Sequence, residues 1–258
     1  MSNAIADTWF MTQRHFRNLI RQPIWIFISL VQPVVWLLLY GALFRRIVEI
    51  PGFGSGSYID FLTPGIVVMT CLFTAGWSGM GLIDDIDRGV VDRFLVSPAS
   101  RGSLISGRLL QGAVVGVIQS AIIIVLGLIV GASYPGGVLG MAALTLGSVL
   151  LGTGVGALSN AVALLSRKEE TMIAVSNFIL LPLTFLSSVF MAQALMPDWM
   201  QNVARYNPVN WAVQAGREAL AASPDWGVVL TRLGWLALFT VVCTWLATRA
   251  FRVYQRSI

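Results

Sequence analysis

Asp84-Asp85-Ile86-Asp87-Arg88-Gly89-Val90-Val91-Asp92-Arg93-Phe94-Leu95-Val96-Ser97-Pro98-Ala99-Ser100-Arg101 is the most polar stretch of the chain, and it stands between two long apolar runs. Acidic residues crowd its start, as a helix N-terminus favours. Val90, Val91, Phe94 and Leu95 form an apolar stripe at i, i+4 spacing, and Pro98 stops a helix near Ser97. The stretch predicts a short amphipathic helix over 84–98 with an apolar face to place. A partner's groove would take that face; folding back on the chain's own helices is the alternative.

The composition around it names the solvent. Of 258 residues 56% are hydrophobic and 11% charged, with a mean hydropathy of +0.77. A soluble domain carries roughly 25% charged residues, so the bilayer must solvate most of this chain. Crossing the hydrocarbon core takes about 20 apolar residues. The segments 24–44, 61–83, 104–131, 138–165, 172–192 and 228–248 meet that length. The expected fold is therefore all-α, a single polytopic membrane domain over 1–258 with six transmembrane helices. The first apolar run follows Arg14, Arg17 and Arg21 and ends in no clear small-x-small site, so it reads as a retained helix.

Basic residues orient the spans. With the N-terminus cytoplasmic, Arg14, Arg17, Arg21, Arg88, Arg93, Arg101, Arg108, Arg167, Lys168, Arg249, Arg252 and Arg256 lie inside. Only Arg45, Arg46, Arg205, Arg217 and Arg232 then lie outside, which favours both termini in the cytoplasm. The net charge of +5 is thus a topological signal, and the lack of any Lys/Arg run gives nucleic-acid binding little support.

Two flanking regions are neither spans nor ordinary loops. Over 3–22, Ile5, Trp9, Phe16, Leu19 and Ile20 share one helical face and the arginines take the other, which suits an interfacial helix broken off by Pro23. His15 has no ligand partner in view. The external segment 193–227 is too apolar for a solvated loop, yet Pro197, Pro208 and Pro224 interrupt it. Two short helices, 198–205 and 209–221, fit it, dipping into the outer leaflet and returning. An interfacial aromatic belt is the competing account of Trp199, Tyr206 and Trp211. Small residues recur every four positions at Ser148, Gly152 and Gly156, at Gly112 and Gly116, and at Gly127 and Gly131, a spacing that lets helices approach closely.

The chemistry missing from the sequence is as informative. No span holds an Asp, Glu, Lys, Arg or His near its middle, which counts against proton- or ion-coupled transport. Arg108 and Arg232 lie near span ends, where they can snorkel. Gln32, Gln119, Asn160 and Asn177 are the polar residues at depth, and helix-packing contacts are their plainest role. Lys168 is the only lysine and follows Ser166-Arg167, which excludes a Walker A loop. No Ser/His/Asp set and no metal-ligand spacing is found, and Cys71 and Cys243 read as small buried hydrophobes. Catalytic residues, a metal and a cofactor are therefore not expected in this chain, and uphill transport would draw its energy from another one.

Together these pieces resemble the ABC-2 family of transporter permeases, with the daunorubicin-resistance type looking closest. The resemblance rests on the order of elements and on two motifs. One is Arg88-Gly89-Val90-Val91-Asp92-Arg93-Phe94-Leu95-Val96-Ser97-Pro98, similar to the family's Arg-x-Gly-Thr-like stretch ending in Ser/Thr-Pro, though Val90 replaces the frequent Thr. The other is Met196-Pro197-Asp198-Trp199, then Tyr206-Asn207-Pro208-Val209-Asn210 and Arg217, similar to the family's Leu-Pro-x-Trp, Asn-Pro and downstream Arg. The resemblance implies the type V exporter fold in a bacterial inner membrane. It implies two permease chains, identical or related, above two ATPase subunits that bind ATP and Mg. The 84–98 helix would be the coupling helix, with Arg88, Gly89, Val90, Asp92, Arg93, Phe94, Leu95, Ser97 and Pro98 at the ATPase. Pro197, Trp199, Asn207, Pro208 and Arg217 would mark the external re-entrant motif. Spans one, two and five would line the path, making Gln32, Trp36, Tyr40, Trp77, Asn177 and Phe185 candidates for contact with a hydrophobic or amphipathic cargo such as a drug, antibiotic or lipid-like molecule. An exporter of a glycan or lipid-linked polymer is the first alternative, signalled by a continuous aromatic surface along the path. A non-transport assembly or scaffold protein is the second.

Overall fold

A computed structural model describes residues 23–49, 57–90 and 103–255. The expected interfacial helix over 3–22 lies outside the described residues. Those described form helices and no strand: α1 Pro23–Leu43, α2 Tyr58–Gly76, α3 Ser78–Asp87, α4 Ser103–Val130, α5 Gly137–Ser166, α6 Glu169–Phe185, α7 Asp198–Tyr206, α8 Pro208–Leu220 and α9 Trp226–Gln255. Short 3-10 turns at Ile47–Glu49 and Gln193–Leu195 complete the list. Four segments are long and apolar enough to cross a membrane: Tyr58–Asp87, Ser106–Val130, Gly137–Ser166 and Trp226–Phe251. The apolar stretch Ile28–Leu43 of α1 and the 17-residue α6 fall short of that length among the described residues.

Helix α5 is the hub, packed against α9, α8, α2, α4, α3 and α6. Its small residues explain why. Lipid tails are as apolar as leucine, so helices in a bilayer associate through close packing and polar contacts. On one side, a Cβ added at Gly154 would stand 2.8 Å from the Phe239 ring of α9, and Thr240 Oγ1 donates to the Leu150 carbonyl at 2.7 Å. On the other, Gly152 and Gly156 face Cys71 and Ala75 of α2, with positions for an added Cβ at 3.4 and 3.7 Å. At its N-terminal end, Gly136 and Gly140 leave room for the Ala219 carbonyl of α8, and the Gly136 N–H donates to Leu220 O at 3.1 Å.

Large apolar side chains crowd the outside of the molecule. Phe178 is 81% exposed, Val138 79% and Ile129 76%, whereas Gln119, Asn160, Asn207 and Asn210 are buried. That inverted pattern suits a hydrocarbon solvent, in which polar groups must find partners inside the protein. The short turn between α4 and α5 is held by the Asp60 carboxylate, which accepts the Ser133 N–H at 2.7 Å. Burial pushes the neighbouring Tyr134 phenol up, against a smaller opposing effect of its hydrogen bond with Thr63.

The second candidate span is broken. Trp77, at φ −88° and ψ −5°, ends α2 and begins α3, although the run 61–83 reads as one continuous helix in the sequence.

Candidate functional site

The polar stretch 84–101 begins at the end of α3. Asp84, Asp85 and Asp87 are helical and close α3, whereas the sequence reading placed them at the start of a new helix over 84–98. The Arg88 N–H caps the Asp84 carbonyl at 3.1 Å, and Gly89 turns the chain at φ +64°, a left-handed conformation that favours glycine. Val90 is the next helical residue; Asp92, Arg93, Phe94, Leu95, Ser97 and Pro98 lie outside the described residues. Carboxylates at a helix C-terminus oppose its dipole, and two arginines offset them here. Arg88 pairs with Asp84 at 3.0 Å, with side chains 72% and 55% exposed, so this pair contributes little. Arg108 of α4 pairs with Asp85 and also donates to the Gly81 carbonyl at 2.7 Å, with side chains only 12% and 21% exposed. The sequence reading let Arg108 snorkel to the headgroups; it turns inward because α3 presents a carboxylate and a carbonyl beside it. The base of α3 is thereby bolted to α4.

Three of the six candidate path residues come together, through a residue the sequence reading did not single out. Trp36 and Tyr40 of α1 stack at 4.7 Å between ring centroids. Phe190, in the irregular segment after α6, lies 5.3 Å from Trp36, 5.5 Å from Tyr40 and 6.0 Å from Phe185. Tyr40 continues to Phe44 at 5.3 Å, Phe44 to Tyr58 at 5.8 Å and Tyr58 to Phe61 at 6.1 Å. These separations fall in the range where aromatic pairs attract. The result is a continuous aromatic ladder from α6 across α1 to the start of α2. Gln32 is exposed one turn from Trp36, and Asn177 is exposed on α6 two turns before Phe185. Trp77 sits apart, at the break between α2 and α3.

The other two amides at depth are inside the bundle. Gln119 Nε2 donates to Ser29 Oγ at 2.9 Å and to Thr74 Oγ1 at 3.1 Å, joining α4 to α1 and α2. Asn160 Nδ2 donates to Gly156 O at 2.7 Å and Ser78 Oγ at 3.3 Å. The carbonyl oxygens of both amides are buried with no donor among the described residues.

The motif expected to be external forms a hub. Helices α7 and α8 meet at Asn207-Pro208. Asn207 Oδ1 accepts the Val209 N–H at 2.9 Å, an N-cap for α8 with proline at the first helical position. Its Nδ2 donates to Leu183 O at 2.7 Å and Leu186 O at 2.9 Å, catching carbonyls at the end of α6. Asn210 Oδ1 accepts from the Ser188 N–H and hydroxyl at 3.1 and 2.6 Å, and its Nδ2 donates to Ala204 O at 3.0 Å. Arg217 Nε donates to Phe61 O and its terminal nitrogen to Val189 O, both at 3.1 Å. Irregular backbone at Leu186, Ser188 and Val189 is thus held by Asn207, Asn210 and Arg217. Pro197 ends that segment at the start of α7, and Trp199 is exposed on α7. Ser188 and Phe190 were missed because the run 172–192 reads as one helix in the sequence, whereas α6 ends at Phe185; Asn210, quoted within Asn207-Pro208-Val209-Asn210, is the residue that could have signalled the pairing.

The sequence is similar over most of its length to known transport permeases. The chain is 28% identical over 247 residues to the daunorubicin resistance ABC transporter permease protein DrrB1 of Streptomyces coeruleorubidus, covering 93% of this chain and 83% of that protein. It is 30% identical over 211 residues to the putative transport permease ycf38 of Cyanophora paradoxa, covering 81% and 72%. It is 21% identical over 239 residues to the probable doxorubicin resistance ABC transporter permease protein DrrC of Mycobacterium tuberculosis, covering 93% and 86%. The family model described as ABC-2 type transporter matches residues 6–221, so this multi-pass membrane protein belongs to the ABC-2 family of transport permeases.

Proposed function

We propose that the chain is the membrane subunit of an ATP-driven exporter that moves a hydrophobic or amphipathic molecule, with ATP and Mg held by a separate ATPase. In this reading α1, the α2–α3 pair, α4, α5, α6 and α9 make six crossings of a bacterial inner membrane, and both termini are cytoplasmic. Two permease chains stand over two ATPases. The observation that carries the reading is the bolted end of α3: Asp85 and Arg108 fix the last turn before the chain enters the polar stretch from Arg88 to Arg101. A segment anchored in that way can transmit a push from a partner seated on Val90, Phe94 and Leu95. The names of the relatives support drug-like cargo.

Replacing Phe94 and Leu95 together with aspartate tests the docking face. Loss of ATPase co-purification with intact membrane insertion is expected. Normal recovery of the complex would place the docking site elsewhere.

The aromatic ladder supports a second reading, export of a glycan or lipid-linked polymer, because sugar rings stack on a continuous aromatic surface. Screening drug-like compounds and lipid-linked glycans for stimulation of ATP hydrolysis in the purified complex separates the two.

A further inference from the structure

The break in the second candidate span has no proline to cause it; Pro64 lies three turns earlier. In an unbroken helix the Gly79 N–H would bond Ala75 O, and Gly76 O would accept from Met80. Here the Met80 N–H goes to Trp77 O at 3.1 Å. Both freed groups are caught from another helix by one side chain. Ser159 of α5 donates its hydroxyl to Gly76 O at 2.7 Å and accepts the Gly79 N–H at 2.9 Å. A hydroxyl can do both, having one proton and two lone pairs. Ser176 of α6 donates to the same Gly76 carbonyl at 3.2 Å.

The close approach is built in. A Cβ at Gly79 would meet the Met172 methyl at 2.8 Å, and one at Gly76 would run into Leu180. Gly76, Gly79, Ser159 and Ser176 are all buried, so the clasp is shielded from competing donors. Below the break α3 is tied sideways to α4 through Asp85, Arg108 and Gly81. Above it α2 is tied to the external hub through Phe61 and Arg217. The chain is therefore held firmly on both sides of a joint whose freed backbone groups, Gly76 O and Gly79 N–H, are bonded by side-chain hydroxyls.

We infer that Ser159 is the positioning residue of a hinge between α2 and α3, about which α3 and the base of α4 swing as one body when the cytoplasmic segment is moved. This rests on the exporter reading, since it needs a partner to supply the push. Hydroxyl bonds suit a joint of this kind, because they re-form after a small rotation where a continuous helical ladder would have to melt. Ser176 holds the α2 side of the joint from α6, so α2 keeps its place while α3 turns.

The test uses the full chain with its ATPase in liposomes. Spin labels go on Asp87→Cys at the end of α3 and Leu165→Cys at the end of α5, both exposed, with the buried Cys71 and Cys243 replaced by alanine. The label distance should change when ATP and vanadate are added. Ser159→Ala should broaden the distance distribution without nucleotide and lower the molecules exported per ATP about tenfold, with ATP hydrolysis itself retained. An unchanged distance in a complex that exports would overturn the hinge and leave the exporter reading standing. A changed distance in a complex that hydrolyses ATP and exports nothing would support the hinge and overturn the exporter reading. The native label pair decides the matter even where Ser159→Ala fails to insert, and Ser159→Cys, a weaker donor, should then show an intermediate loss of coupling.

Discussion

The guanidinium carbon of Arg217 stands 3.4 Å from the centroid of the Phe61 ring, while its Nε donates to the Phe61 carbonyl at 3.1 Å. A planar cation can stack on the ring and still aim its edge at Val189 O, a combination open to arginine and closed to lysine. Through it α8 holds both the first turn of α2 and the irregular segment after α6. Arg217→Lys should therefore behave much like Arg217→Ala, each destabilising the permease by about 2 kcal/mol as carbonyls lose their donors. Thermal unfolding of the purified protein in detergent checks it; a native melting temperature for the lysine variant would mean that charge alone suffices.

Asn207 uses both ends of its amide, the oxygen as a cap and the nitrogen for Leu183 and Leu186. Asn207→Asp keeps the acceptor and removes the donors. If the cap were its main contribution, aspartate would preserve stability and alanine would cost about 1 kcal/mol. The geometry predicts the opposite ranking, with aspartate at least as damaging as alanine because a carboxylate would face two carbonyl oxygens. Comparing the melting temperatures of the two variants decides between these outcomes.

Much of this arrangement was legible in the sequence, for local reasons. Pro197 and Pro208 punctuate the segment 193–227, and α7 and α8 run Asp198–Tyr206 and Pro208–Leu220, where the sequence placed 198–205 and 209–221. Hydropathy runs likewise located the long helices. What stayed hidden is non-local. Asp84, Asp85 and Asp87 look like a helix start because carboxylates favour one, yet they end a helix, where Arg108 reaches Asp85 from 23 positions away in the chain. The break at Trp77 was invisible because its bonds come from Ser159 and Ser176, on helices that contact it only in the fold. Phe190 fell inside the run 172–192, which reads as one helix although α6 ends at Phe185.

Glycines differ sharply in what they leave room for. Gly79→Ala would drive a methyl into Met172 and the Ser159 backbone, and overpacking of that kind costs about 1–3 kcal/mol. At Gly112 nothing lies within 4 Å of an added Cβ, so alanine there should be neutral or slightly stabilising in the isolated permease. Expression and thermal stability of the two variants, measured side by side, should separate clearly; equal values would mean that α5 simply moves aside.

Asp85 and Arg108 should behave as a unit. Asp85→Ala leaves a partly buried guanidinium without its counter-charge and should cost about 2 kcal/mol, less than for a wholly buried pair. The exchanged pair, Asp85→Arg with Arg108→Asp, should recover part of that loss, because the Coulomb attraction returns while the bond to Gly81 O does not. A double-mutant cycle on thermal stability reads the coupling directly, and additive effects would show that the two charges do not support one another.

Phe190 is the junction of the aromatic ladder, touching Trp36, Tyr40 and Phe185. Removing an end rung shortens such a surface; removing the junction divides it. Phe190→Ala should therefore reduce cargo-stimulated ATP hydrolysis more than Phe185→Ala, whose ring meets only Phe190 among the described ring contacts. Basal hydrolysis should change little in either, because the ladder is built from α1, α2 and the segment after α6, away from the α3–α4 base. Phe190→Leu then separates stacking from bulk: leucine fills much of the space but offers no aromatic face. Stimulation restored by leucine would make the ladder a packing device, while stimulation lost with leucine and kept with Phe190→Tyr would make it a stacking surface for cargo.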